Sequence, residues 1–424
     1  MTAPDPTPEA RSPSRTGLRS APGRWTLAAV LLAGLNLRGA IAAVAPVLPE
    51  LREELGLTPT TAGLLTTLPV LCFAGLAPAS AWLGRRVGPR AAVLGGLLAV
   101  AAGSVLRVLD GPVVLLAGTF VVGAAMTIGN VLLPAVVKAE FAERAGPVTG
   151  MYTAALAAGA ALTTALTAPI ALLAGWRVAL AAWASVAVLA AVVWSAVLGA
   201  RPAPASPPAP TRAGAPAGVW RSRTAWAVTV VLAMQSALYY AFTAWLPSLL
   251  ADEAGLALST ASFAASAFQL LGIPGALLVP VLLTRLAGQR GLAVTVAVGW
   301  GLVPLGLLVA PAAWLAWVVL GGVVQGAGIS LAFALVALRA ADEHVVTRLS
   351  AMSQLVGYAV GAAGPLVVGG LYAATGGWAA ALWLLVAVAV VNGAAGLVAG
   401  RAVSVGGPSA HRLPSGGSPV SPGG

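Results

Sequence analysis

The stretch "WTLAAVLLAGLNLRGAIAAVAPVLPEL", Trp25 to Leu51, decides how the chain is read. It is apolar for longer than the roughly 20 residues that a helix needs to cross a bilayer. Yet Arg38 stands in its middle. An arginine at a helix centre costs about 2.5–3.5 kcal/mol on insertion. Arg38 is 13 residues into the run, roughly 20 Å at 1.5 Å per residue, too deep for its stem to reach the interface easily. "AVA" at Ala43–Ala45 imitates a signal-peptide cleavage site. The run is too long for such a peptide and Arg38 interrupts it, so it reads as a retained span.

The remaining sequence supplies the setting for that charge. Of 424 residues, 59% are hydrophobic and 8% charged, whereas a soluble domain carries roughly 25% charged residues. The solvent must largely be lipid. A net charge of +11 fits basic cytoplasmic loops better than a nucleic-acid partner, and no nucleic-acid-binding motif is present. A single cysteine, Cys72, and two histidines in polar segments, His344 and His411, exclude an internal disulfide. They also leave metal catalysis and a membrane hydrolase without support. No cofactor is expected, and the chain reads as a non-enzyme. Arginine outnumbers lysine 22 to 1, a usage that suggests a GC-rich bacterial genome.

Apolar runs recur at 25–48, 61–83, 91–109, 113–137, 148–173, 178–199, 225–250, 261–284, 291–310, 312–338, 350–374 and 378–400. Their length suits helices and not barrel strands. The expected fold is an all-α membrane protein of twelve transmembrane helices. Nineteen of the 23 basic residues fall in the termini and in alternate loops, against Arg52, Arg107 and Arg177 on the other side. The positive-inside rule then places both termini in the cytoplasm. The Pro- and Ala-rich segment 200–224 divides the chain. Residues 1–24 and 401–424 are expected to be disordered cytoplasmic ends. Residues 25–199 and 225–400 form two six-helix bundles, and 200–224 forms an extended cytoplasmic linker.

The bundles repeat. Pro49 matches Pro247, Gly56 matches Gly255, Gly88 matches Gly288, Arg90 matches Arg290, Met151 matches Met352 and Trp176 matches Trp378, at offsets between 198 and 202. Six spans per half give both halves one orientation, so they are pseudo-symmetric about an axis along the membrane normal. A parallel repeat of this kind resembles the major facilitator superfamily, which implies a midplane site and alternating access by rocking. "AWLGRRVGPR" keeps part of that superfamily's loop pattern in Arg86, Gly88 and Arg90, with Arg85 where the pattern has Asp. The segments "LNLR" (35–38), "GNVLLPAVVKAEF" (129–141), "GMYTAAL" (150–156), "YYAFTAWLP" (239–247) and "RLSAMSQLVGYAVGAAGP" (348–365) resemble cyanate permeases and 2-nitroimidazole exporters. That resemblance implies a multi-pass protein of the bacterial plasma membrane, acting as a monomer on a small solute.

The twelve spans contain no Asp or Glu, so Arg38 has no evident carboxylate partner. Water, helix carbonyls or a substrate anion must serve it instead, and its planar fork suits a small anion. Arg38 lies 201 residues before Tyr239, which makes the two pseudo-equivalent on spans 1 and 7. Gln235 and Tyr239 share a helix face, as do Gln354 and Tyr358. Arg38, Asn36, Asn130, Gln235, Tyr239, Gln325 and Tyr358 are therefore expected to line one polar cavity, with interhelical hydrogen bonding as the alternative for the Gln and Tyr residues. Trp245, Gln354, Tyr152 and Lys138 are expected in gating or secondary roles. Trp245 has an interfacial anchor as its alternative, and Lys138 a snorkelling position. The leading function is facilitative or secondary active transport of a small anionic or weakly acidic solute. Export of small heteroaromatics and a non-transporting membrane sensor stay open beside it.

Overall fold

The computed structural model describes residues 21–405, apart from 110, 142–144, 200–217, 287, 342 and 402. Its helices in the first half are α1 (Ala21–Ala42), α2 (Leu48–Leu55), α3 (Pro59–Gly75), α4 (Ala77–Val87), α5 (Pro89–Leu106), α6 (Pro112–Glu140) and α7 (Ala145–Val197). In the second half they are α8 (Gly218–Arg221), α9 (Arg223–Ala254), α10 (Leu258–Arg285), α11 (Gln289–Val309), α12 (Trp314–Arg339), α13 (Glu343–Thr375) and α14 (Ala379–Ala399).

Ten of these helical stretches are long and apolar enough to cross a membrane. The pair α3 and α4, bent by 59°, forms an eleventh crossing. Pro78 lies just past the bend; its missing N–H and its ring interrupt the helix there. The twelfth emerges from α7. Trp183 Nε1 donates to Thr167 Oγ1 at 2.9 Å, although residues 16 apart would lie roughly 24 Å apart along a straight helix. The chain therefore reverses between them, and it does so at Gly175, whose φ of 81° only glycine adopts readily. The twelve-helix expectation holds. Large apolar side chains such as Leu173 (90% exposed) and Val113 (79% exposed) point outward, as lipid contact requires.

The ends differ from expectation. Helix α1 begins at Ala21, inside the segment read as disordered, and it ends at Ala42, short of the expected residue 48. A 3-10 turn over Ala45–Val47 and the amphipathic α2 follow. Helices α8 and α9 occupy the last part of the expected linker; the remainder, 200–217, lies outside the described residues. Val405, in the expected tail, bonds to the backbone of Arg339 and Ala341.

The repeat is visible in contacts. At the α7 turn, Trp176 Nε1 donates to Glu54 at the end of α2, which also pairs with Arg177. At the turn between α13 and α14, Trp378 Nε1 donates to Asp252 Oδ2 at 2.9 Å, near the end of α9. On the face where α1 begins, Arg90 pairs with Glu140, and close to the repeat positions in the second half Arg339 donates to Gln289, the neighbour of Arg290.

Arg107, at the C-terminal end of α5, turns inward. It is 1% exposed, and its Nη1 donates to the carbonyl of Ala40 at 2.8 Å. That carbonyl loses its helical partner because Val44 N bonds to Ile41 O instead. The guanidinium caps the negative end of α1.

Within the first half, α1 lies tight against α7. A Cβ added at Gly159 would stand 2.0 Å from the carbonyl oxygen of Leu35. The halves meet along α3 with α13 and along α7 with α10. Thr67 Oγ1 donates to Ala362 O at 2.7 Å and Ser266 Oγ to Ala161 O at 2.8 Å. Gly63 packs on Pro365 and Gly369 on Pro59. Helix α4, the terminus-side continuation of α3, packs instead on α5 and α6 of its own half.

Replacing Gly159 by Ala should destabilise the purified protein by about 1–3 kcal/mol through overpacking, read as a fall of several degrees in thermal unfolding in detergent. Gly75→Ala, where an added Cβ meets nothing within 4 Å, should leave the transition in place.

Candidate functional site

Arg38 projects from α1 toward α9 of the other half. Its Nη1 donates to the hydroxyl of Tyr239 at 3.3 Å. The guanidinium carbon lies 4.9 Å from the Tyr239 ring centroid, so hydrogen-bond and cation–π contact act together. Arg38 remains partly exposed, whereas Tyr239 is buried. Among the described residues no carboxylate pairs with Arg38.

Further tyrosines surround the charge. Tyr240 and Tyr358 lie within electrostatic range of Arg38, as does Tyr152 of α7. The chain has five tyrosines, and all but Tyr372 gather here. Tyr240 packs edge-on against Tyr239 with centroids 5.0 Å apart, and Tyr358 packs against Phe73 of α3 at 6.2 Å. These rings come from α3, α7, α9 and α13, so both halves contribute to the cluster. Four phenols offer hydroxyls that donate or accept, on flat apolar rings. The set suits a small polar guest with negative charge or a planar conjugated body.

Behind Tyr239, its hydroxyl donates to Gln269 Oε1 at 3.1 Å. Gln269 Nε2 in turn donates to Thr243 Oγ1 at 3.2 Å. Both residues are buried.

The other expected residues divide. Asn130 is half-buried on α6, next to Gly129, where α6 meets Leu37. Gln354 is half-buried one turn before Tyr358, and its Nε2 donates to Ser350 Oγ at 2.8 Å. Asn36 turns away from Arg38, because residues two apart on a helix do not share a face. Its Nδ2 donates to Leu32 O at 2.8 Å, and it lines a small internal cavity with Gly39, Ser104, Thr163 and Trp183. Gln235 is spent inside the second half: Oε1 accepts from Trp300 Nε1 at 2.7 Å and Nε2 donates to Gln325 O at 2.9 Å. Gln325 reaches toward Phe268 O and packs on Gly272. Neither amide is brought to Arg38; their contacts are those of interhelical bonding. Trp245 is 2% exposed and donates to Pro365 O at 2.9 Å, so it sits within the second half and not at an interface. The Lys138 side chain lies outside the described residues.

Tyr240, Phe73, Gln269 and Thr243 were not singled out from the sequence. The repeat offset that pairs Arg38 with Tyr239 gives no sign of Tyr240, and Gln269 looks like any interhelical amide.

The comparisons with known proteins agree with this architecture. Residues 30–365 match the Major Facilitator Superfamily model. The chain is 35% identical over 376 residues to the 2-nitroimidazole transporter of Escherichia coli (strain K12), covering 88% of this chain and 95% of that one. It is 31% identical over 368 residues to the cyanate transport protein CynX of the same organism, covering 83% and 91%. A solved bacterial homologue of the human lysosomal transporter Spinster, in an inward-facing conformation, superposes with a TM-score of 0.71 at 15% identity, covering 90% of this chain and 98% of that one.

Gln235→Leu should leave Trp300 N–H without its acceptor inside the second half and cost about 1–3 kcal/mol of stability. Thermal unfolding should report the loss, while the half-saturation concentration for transported solute should change less than twofold.

Proposed function

The chain belongs to the major facilitator superfamily, and on that premise we propose that the small solute it carries is an anion or weak acid held at Arg38. Similarity to the 2-nitroimidazole and cyanate transporters makes it a transporter and not an enzyme. The observation that carries the anionic reading is the state of Arg38. It is a permanent cation with a phenol, and no carboxylate among the described residues, as its bonding partner. Leaving a half-buried charge without a counter-charge is costly, and an entering anion relieves that cost with a charge-assisted, bidentate contact.

Both halves hold the guest in this scheme: Arg38 and Tyr152 from the first, Tyr239, Tyr240 and Tyr358 from the second. Rocking of the halves about that point exposes it to each side in turn. The α3–α13 and α7–α10 seams close the side away from the termini. The distribution of basic residues supports both termini in the cytoplasm of a bacterial plasma membrane, and in that orientation the arrangement faces inward. The protein acts as a monomer.

The aromatic walls favour a second reading. The Tyr358–Phe73 contact offers flat surfaces to a planar heteroaromatic, with Arg38 bonding a nitro group.

Reconstitution into proteoliposomes separates the two. Arg38→Gln should reduce kcat/KM for labelled cyanate by roughly 10- to 100-fold, the worth of hydrogen bonds to a charged group. Arg38→Lys should restore only part, because an ammonium lacks the fork. Unchanged cyanate kinetics in a properly inserted Arg38→Gln protein would remove the anion reading. 2-Nitroimidazole flux that falls in both Arg38→Gln and Tyr358→Ala, from a protein that moves no cyanate, would favour the second.

A further inference from the structure

We propose that Gln269 is a positioning residue that sets the direction of the proton on Tyr239, so that the substrate-free protein holds Arg38 with an acceptor that an incoming anion must displace. The proposal rests on the anionic reading above and adds a residue from α10 that touches neither Arg38 nor the guest.

The argument is one of donors and acceptors. In the structure the Gln269 amide is oriented with Nε2 donating to Thr243 Oγ1 and Oε1 facing Tyr239. An amide oxygen only accepts, so the Tyr239 proton points at Oε1. The phenol oxygen then has only lone pairs left for the other side, where Arg38 Nη1 donates to it. Arginine offers five donors and no acceptor, so it cannot reverse the sense of the chain. The result is a directed relay, Arg38 to Tyr239 to Gln269 to Thr243, that starts in the first half and ends in the second. It makes Tyr239 a competitor of the anion for Arg38 and denies the anion the Tyr239 proton. Gln269 and Thr243 are both buried, so water is poorly placed to replace either partner.

Opposite substitutions at one site should therefore move affinity in opposite directions. Gln269→Met is close in shape but offers Tyr239 no comparable acceptor. The freed phenol proton then donates to the anion beside Arg38, and the half-saturation concentration for cyanate falls about three- to tenfold. Gln269→Glu keeps the acceptor and adds negative charge behind the phenol. That strengthens the phenol's hold on Arg38, and the half-saturation concentration rises by a similar factor.

The test is cyanate uptake by the full-length protein in proteoliposomes for wild type, both Gln269 variants and Arg38→Gln. Ultraviolet resonance Raman spectra of the same proteins without solute accompany it, with wild type minus Tyr239→Phe giving the Tyr239 band. Opposite shifts in affinity, with a Tyr239 band altered in Gln269→Met and retained in Gln269→Glu, support the relay. Shifts of the same sign, as a merely structural residue would give, or a Tyr239 band indifferent to Gln269→Met, overturn it. If wild type moves no cyanate, or Arg38→Gln moves it unchanged, the anionic reading fails. The Raman comparison still decides whether Gln269 directs the Tyr239 proton.

Discussion

A guanidinium cannot shed its proton inside a membrane, and here it has no carboxylate to pair with among the described residues. The organisation of this transporter follows from how that charge is accommodated. Arg38 faces Tyr239 across the boundary between the two halves, and three more phenols stand within range of its field. Phenols and their π-faces stabilise a cation less than a carboxylate would. The charge is tolerated but remains available. A salt bridge at the same place would satisfy Arg38 permanently and leave a guest nothing to gain.

Contrast within the same half supports this view. Arg107 is buried more deeply than Arg38 and is held within its own half: its Nη1 binds the carbonyl that α1 leaves unpaired at its end, where the helix dipole is negative, while its Nε and Nη2 have no hydrogen-bond partner among the described residues. Arg90, on the terminus face, is committed to Glu140. Of these three arginines, Arg38 alone bonds to a residue of the opposite half. The seams between the halves rest on small residues and on single hydroxyl-to-carbonyl bonds, Thr67 to Ala362 and Ser266 to Ala161. Each such bond is worth about 1 kcal/mol, so two rigid bundles can part without a large barrier from any one contact.

Much of this was legible in the sequence because it is written in length and spacing. Twelve crossings follow from apolar runs, with α7 and the bent α3–α4 pair resolved by Gly175 and Pro78. The repeat markers Trp176 and Trp378 make equivalent bonds to Glu54 and Asp252, and the offset of 201 brings Arg38 to Tyr239. Other features depend on which way a helix face turns, and spacing alone does not give that. Gln235 shares a face with Tyr239 by the i, i+4 rule, but its amide is diverted to Trp300 and Gln325. Asn36 points to the far side of α1. Tyr240 joins the tyrosine cluster although an adjacent residue belongs to a different face. Helix ends are less legible: the Pro, Gly and Arg of 21–24 and the Arg-Thr of 223–224 look like the start of loops but belong to the helices that follow them.

The central claim is that the guest replaces Tyr239 as the partner of Arg38. A structure of the protein solved with a transported anion bound tests it most directly. The account predicts the anion within hydrogen-bond distance of the Arg38 guanidinium, with the Arg38–Tyr239 separation opened beyond 3.5 Å. An anion bound elsewhere while Arg38 and Tyr239 stay in contact would contradict it.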